Sequence, residues 1–435
     1  MKKFMRALVG SGGISQYGMI IALVVIIVLF QFLSGGYTLN PTNIINVFLQ
    51  YSYILILAIG MVMVIIAGHI DLSVGSVAAF VGIIVAQSMA LWHLAWPLAI
   101  LLGLVVGAIV GAWQGFWVAY VRVPAFIVTL AGQLIFRGGN QIIGNSTSLP
   151  VPDNYAVIGQ GFLPDFGPDF GYSNPTLILG LIVVLVLIWR EIRARGKRVK
   201  MGAEPRPVWV TVVRMVVFSA VTIYATYLFA TGRKGTSFPV VAIILGVLIL
   251  IYSFVTNTTI FGRQVYAVGG NASAAVLSGV NSRRVNFFVM MNMSVLAAVA
   301  GMVFVGYSGA SGPADGTGWE LDAIAAVFVG GAAIAGGVGT ITGSIIGGLV
   351  MAFLANGLAF LSIDNSYVQI IRGLVLLVAV AFDVYNKTQG RPSVIGYLLR
   401  NFRRTPPGDS TPESGEGPSP DQPRSIDDQP QVLLP

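Results

Sequence analysis

The sequence predicts an all-α polytopic membrane protein with about 12 transmembrane helices. Three observations predict it. Of 435 residues, 55% are hydrophobic and 10% charged, and the mean hydropathy is +0.82; a soluble domain carries about 25% charged residues. Apolar runs of about 20 residues recur along the chain, each long enough to cross the hydrocarbon layer. Lys and Arg concentrate in alternate connections between those runs, the asymmetry that orients membrane proteins.

Composition also excludes chemistry. There is no cysteine, and His69 and His93 are the only histidines. Disulfides, thiol catalysis and Cys- or His-rich metal sites are therefore ruled out. The net charge of +8 reads as anchoring charge rather than as a nucleic-acid surface.

In order, the spans fall at 14–34, 46–67, 72–91, 95–121, 123–139, 174–190, 207–230, 238–256, 285–308, 320–337, 340–362 and 366–386. Residues 1–13 precede them. Lys2, Lys3 and Arg6 ahead of the first run mimic a signal peptide, but no A-x-A site follows, so the run is expected to be retained. The fifth and tenth runs fit a re-entrant segment as well as a full span. Lys2, Lys3, Arg6, the cluster from Arg190 to Arg206, Arg263, Arg283, Arg284 and the basic residues of the tail share one side. Only Arg137, Arg233 and Lys234 fall on the other. Both termini are then cytoplasmic. The 190–206 cluster reads as an anchor, with lipid binding as the alternative.

Between Arg6 and Arg122 the single charged residue is Asp71. A charge in such surroundings needs a helix end, a protein interior or water beside it. Span four carries Gly103, Gly107, Gly111 and Gly115 on one face, a spacing that lets another helix approach closely; Gly339, Gly343 and Gly347 repeat it in span eleven. The segment 140–174 is the largest external loop, rich in Pro, Asp and aromatic residues. It either receives a soluble partner or covers the outer mouth.

The cytoplasmic segment 257–284 holds a two-turn helix. Asn271 suits its N-cap and Gly279 its C-cap, with Ala274, Ala275, Val276 and Leu277 between them. So short a helix is marginal alone. It is either an interfacial turn or a knob that docks into a partner's groove. Further on, Glu320 and Asp322 open a helix of small residues much as Asp71 does, where carboxylates meet the positive end of the dipole. The two stretches run in opposite directions, which hints at an inverted repeat. Arg372 lies inside span twelve, three turns from Asp383, and needs a partner or a substrate elsewhere. From Arg404 the tail carries eight prolines among Ser, Asp, Glu and Gln, so 387–435 forms a cytoplasmic tail expected to be disordered from about residue 404.

No phosphate-loop motif is present: Gly196-Lys197 is followed by Arg198 and lacks the upstream glycine. No nucleophile elbow or zinc-protease motif appears either. The chain is not expected to be an enzyme or to carry a cofactor, and any energy must come from a gradient or a partner.

The string Gly68-His69-Ile70-Asp71-Leu72-Ser73-Val74-Gly75-Ser76 resembles the signature of ABC-type monosaccharide importer permeases of the ribose/xylose type. Phe261 through Gly279 is similar to the coupling region of that family, and Glu320 to Ala326 and Asn356-Gly357-Leu358 are similar to later motifs. The resemblance covers about residues 17 to 387. His69 and an extra stretch, roughly Arg190 to Phe238 with the seventh span, resemble the xylose-type subgroup, so a ten-helix core plus an extra pair is expected. The proline-rich tail departs from the pattern.

The resemblance implies a homodimeric permease of the cell inner membrane. A periplasmic or lipid-anchored sugar-binding protein would feed its outer mouth. A separate ABC ATPase subunit would dock on Asn271, Ala274, Ala275, Val276, Leu277 and Gly279. Asp71, Ser73, Glu320 and Asp322 are the candidates for the translocation path or gate, and xylose is the foremost substrate. Asp71 either caps span three alone or caps it and serves the gate. A gradient-driven secondary sugar transporter is the alternative reading, and a structural membrane scaffold a third.

Overall fold

In a computed structural model, residues 15–168, 171–202, 207–232 and 237–388 are described. The expectations for residues 1–13, Asp169, Arg206, Arg233, Lys234 and the tail beyond 388 lie outside them.

The chain forms helices α1 (Ser15–Leu33), α2 (Pro41–Ile66), α3 (Val74–Ala90), α4 (Trp96–Phe116) and α5 (Ala125–Ile143). After strand β1 (Leu149–Pro150) come α6 (Asp153–Gln160), α7 (Asn174–Lys200), α8 (Val208–Ala230) and α9 (Val240–Thr258). Two short helices, α10 (Ile260–Gly270) and α11 (Ala272–Leu277), lead to α12 (Ser282–Ser308) and β2 (Ala310–Ser311). The chain closes with α13 (Trp319–Val329), α14 (Ile341–Phe360) and α15 (Asn365–Thr388). β1 and β2 pair antiparallel, Leu149 opposite Ser311.

Each run predicted to span is a helix here. Seven are long and apolar enough to cross a membrane, and three shorter apolar helices lie in α1, α3 and α15. The remaining two are α5 and α13. Helix starts follow from local chemistry. Asn40 accepts the Thr42 N–H at 3.0 Å ahead of Pro41, whose missing N–H costs nothing there. Thr259 and Thr340 do the same for Gly262 and Gly343, and Asn281 for Arg284.

α12 is the hub, packed against α2, α3, α4 and α6. It runs antiparallel to α4: Gly103 meets Met302, Gly107 meets Ala298, Gly111 meets Met291 and Gly115 meets Phe287. A Cβ on Gly111 would stand 2.6 Å from the Met291 Cα, so the small residues set the helix separation. α12 also runs antiparallel to α2, Gly60 against Met293 and Leu296. The end where α2 finishes and α12 begins is called the lower end below, the opposite one the upper end.

α3 runs parallel to α12, with Ala78 against Gly301 and Gly82 against Val305. It therefore starts level with the middle of the 27-residue α12 and rises to the upper end. α13 runs the other way. Trp319 at its start packs against Tyr53, midway along α2, with ring centroids 4.3 Å apart. Below its end, the Gly337 N–H donates to the Ile66 carbonyl at 2.8 Å at the lower end. With 11 residues α13 spans about 16 Å, half of a hydrocarbon core. The tenth run is thus a half-helix ending at Val329, not a span to 337, whereas α5 has 19 residues.

Part of the 140–174 segment is built into the bundle. Tyr155 of α6 is fully buried and its hydroxyl donates to the Met302 carbonyl at 3.0 Å. Gly159 lies flush against Gly306 and Tyr307. At the upper end Asn43 and Asn356 exchange amide hydrogen bonds of 2.9 and 3.1 Å. These tie the start of α2 to the end of α14.

Candidate functional site

The chain between α2 and α3 does not form a turn at the bundle surface. It climbs from the lower end into the interior, and Asp71 is 1% exposed at the level where α3 begins. Asp71 Oδ1 accepts the Ser73 N–H at 2.8 Å and the Ser73 hydroxyl at 2.7 Å. The carboxylate therefore holds a tight turn one step ahead of the helix, and Ser73 occupies the N-cap position. Ser73 Oγ accepts Gln114 Nε2 of α4 at 2.7 Å, and Gln114 Oε1 accepts the Ser294 hydroxyl of α12 at 3.3 Å. One line of polar groups thus joins α3, α4 and α12 at mid-bundle. Buried polar groups are tolerated when they satisfy one another.

The start of α13 meets the start of α3. Gly316 lies directly against Gly75, and Glu320 Oε2 comes within 2.7 Å of where a Gly75 Cβ would be. Any side chain on Gly75 would collide with the Gly316 carbonyl. Glu320 Oε1 accepts Gln133 Nε2 of α5 at 2.9 Å. Thr317 accepts Arg137 Nη2 at 2.9 Å. Glu320 therefore faces the first turn of α3, whose leading N–H groups have no partner within the helix. A carboxylate is favoured there by the dipole. Asp71 Oδ2 and Glu320 Oε2 are buried without a hydrogen-bond partner among the described residues.

Asp322 is set apart from that pair. It forms an ion pair with Arg372 of α15 at 3.1 Å, which supplies the partner that Arg372 needs. Around them a cavity of about 420 Å³ is lined by Tyr53, Thr317, Trp319, Gln369 and Arg372. Of the four sequence-predicted path residues, the structure brings Asp71, Ser73 and Glu320 together at the meeting of the half-helices and places Asp322 on the neighbouring flank. Sequence reading missed Gln114 and Gln133. Gln114 is an isolated Gln in an apolar helix, whereas Gln133 shares α5 with Thr129, Arg137, Asn140 and Gln141, so neither stands out by spacing.

From the lower end a larger cavity, about 990 Å³, reaches Gly68, His69 and Ile70 just before Asp71. Its rim includes Arg122, Val276, Gly279 and Arg283. Arg122 follows a π-helical turn, Trp117–Val121, and takes a left-handed φ of 66°. Non-glycine residues adopt that conformation rarely. Beside the rim, Asn271 Oδ1 accepts the Ala274 N–H at 2.9 Å and Gly279 reverses the chain at φ 84°. Between them Ala275 is buried while Val276 is 56% and Leu277 89% exposed. Ala274 is exposed too. No group of three or more His, Asp or Glu among the described residues could hold a metal ion.

The model of a permease family, described as the branched-chain amino acid transport system / permease component, matches residues 43–380. The chain is 38% identical over 378 residues to the xylose transport system permease protein XylH of Haemophilus influenzae, covering 87% of this chain and 98% of that one. XylH of Escherichia coli K12 is 37% identical over 85% of this chain and 91% of its own. The ribose import permease protein RbsC of the same strain is 33% identical over 85% and 93%. No solved structure matches significantly.

Proposed function

Since the chain belongs to this permease family, we propose that it is the membrane subunit of an ATP-binding-cassette importer for a monosaccharide, with xylose the foremost substrate. The relatives named for xylose and ribose transport support a pentose over a branched-chain amino acid. A sugar-binding protein delivers the substrate at the upper end, which faces outward, and a separate ATPase dimer docks at the lower end in the cytoplasm. Two copies of the chain form the permease of the inner membrane, with both termini cytoplasmic. Asp71, Ser73 and Glu320 serve the gate where the half-helices meet.

The observation that carries this reading is α11. Leu277 is 89% exposed on a capped six-residue helix outside the apolar bundle. An apolar knob of this kind gains its free energy by entering a partner's groove. It stands beside the cavity that leads to Asp71, so a push on α11 is delivered next to the path. The test is Val276→Asp combined with Leu277→Asp. The substituted permease should insert normally, lose co-purification of its ATPase and lose ATP-driven xylose uptake in proteoliposomes supplied with binding protein. ATPase binding that survives both substitutions sinks the docking role. Uptake driven by an ion gradient without ATPase would replace the importer reading with a secondary transporter. Uptake of leucine but not xylose would move the substrate class.

A further inference from the structure

The Asp322–Arg372 ion pair lies at membrane depth, apart from the Asp71 turn. Asp322 is in the first turn of α13, which begins at mid-bundle. Arg372 comes two turns into α15, roughly 11 Å along it. Arg372 Nη1 donates to both Asp322 oxygens, at 3.3 and 3.1 Å, and its Nε is buried without a hydrogen-bond partner among the described residues. Both side chains are about a quarter exposed, and Leu321 and Gln369 beside them are exposed. The cavity of about 420 Å³ that they line therefore opens on the flank of the bundle between α13 and α15. Ionisable groups at such a depth are costly against acyl chains and are kept where they meet protein, water or a substrate.

The lining has two kinds of surface. Tyr53 and Trp319 supply aromatic rings, their centroids 4.3 Å apart, and Phe304 backs them at 5.0 and 4.5 Å. That packing fixes the rings in place before any ligand arrives. Arg372, Asp322, Gln369 and Thr317 supply polar groups. Among the described residues, the charges in the lining are those of Asp322 and Arg372 alone, and each is met by the other. A zwitterion or an anion would have to break that pair. A neutral ligand with several hydroxyls would not. Its hydroxyls donate to the carboxylate and accept from guanidinium and amide, while its C–H surface covers the rings. The volume falls within the range of small-molecule sites, roughly 300–1,000 Å³. Thr317 joins the cavity to the gate, since it accepts Arg137 Nη2 of α5 and follows Gly316, which lies against Gly75. We propose that the cavity holds a neutral monosaccharide ring in transit, with Asp322, Arg372 and Gln369 on its hydroxyls and Tyr53 and Trp319 against its ring. Transport substrates commonly sit near the midplane at the ends of discontinuous helices, and α13 is one. The inference rests on the importer reading and adds to it a sugar contact site in the permease itself.

The test uses the full-length permease in proteoliposomes, with and without its ATPase. Gly373 lines the cavity, and an added Cβ there meets nothing within 4 Å. Gly373→Cys is therefore tolerated and, in a chain without cysteine, supplies the sole thiol. A small methanethiosulfonate reagent should modify it, which requires water in the cavity. Xylose in large excess should slow that reaction about fivefold. Leucine in equal excess should not, and the reaction of Ser146→Cys should respond to neither. Tyr53→Phe with Gln369→Ala, added to Gly373→Cys, should abolish the protection. In the otherwise unsubstituted chain the same pair should lower ATP-driven xylose uptake about tenfold, while the permease still co-purifies with its ATPase. No modification at 373 in either preparation, with or without ATP, overturns the proposal, because the cavity is then closed off by protein or lipid. Modification that xylose does not slow overturns it too, and protection by leucine replaces the sugar with a zwitterion. Failure of the importer reading shows separately, as no ATP-driven uptake by the unsubstituted complex; ATP-driven uptake without protection at 373 removes this site alone.

Discussion

Asp71 is the residue whose surroundings differ most from those its sequence position suggests. Hydropathy places it in a connection, and a connection suggests a surface. The structure buries it because α3 starts at mid-bundle, so the seven residues after Ile66 are spent climbing inward. Its chemistry is legible all the same: a short carboxylate before a helix accepts backbone N–H groups. It does so through Ser73, with the hydroxyl of the same residue as second donor. Asp71→Leu removes both bonds and leaves the Ser73 N–H buried and unpaired, at a cost of about 1–3 kcal/mol. Thermal unfolding in detergent should show it. Asp71→Asn keeps an oxygen at the Oδ1 position, so its melting midpoint should stay near that of the unsubstituted protein. Its ATP-driven uptake should fall sharply if the charge serves the gate. Uptake close to normal would confine Asp71 to holding the turn.

At the scale of elements, the glycine face of α4 was legible because spacing by four survives whatever the partner is. What the sequence does not contain is the partner's identity. α12 meets that face with backbone atoms of Met291 and Phe287, not with a recognisable complementary pattern. Gly111→Leu drives its side chain into the Met291 main chain and should destabilise the permease by about 1–3 kcal/mol. Gly246 of α9 has nothing within 4 Å of an added Cβ, and Gly246→Ala should leave the melting midpoint unchanged or raise it. Equal losses from the two substitutions would mean that helix propensity, not close packing, governs both sites. α13 was less legible for a related reason. Residues 330–339 are apolar and small, so hydropathy carries the helix on to 337. The chain instead leaves the helix at Gly330 and turns through left-handed Gly331, Gly336 and Gly337, a conformation hydropathy does not register.

At the scale of the molecule, two half-helices enter from opposite ends and meet head to head, Gly75 against Gly316. Discontinuous helices of this kind recur in transporters, where irregular backbone at membrane depth is tolerated because protein covers it. The weak hint of opposed carboxylate-led helices was readable in Asp71 on one side and Glu320 and Asp322 on the other; the contact of the helix starts was not, because it depends on two glycines far apart in sequence. The geometry makes the topology testable. α2, α12 and the lower-end helices fix which connections share a side: Gly202 between α7 and α8, and Leu277 of α11, belong with the lower end, and Ser146 after α5 belongs with the upper. The chain has no native cysteine, so Ser146→Cys, Gly202→Cys and Leu277→Cys each report alone. Residue 277 is 89% exposed in this chain. An impermeant maleimide added to intact spheroplasts should label only the cysteine at 146. The other two should react after permeabilisation, unless the ATPase shields 277, in which case washing the ATPase away should restore its labelling. Labelling of 202 from outside would invert the orientation of the whole bundle, and labelling of 146 and 202 from the same side would contradict the single crossing, by α7, between them.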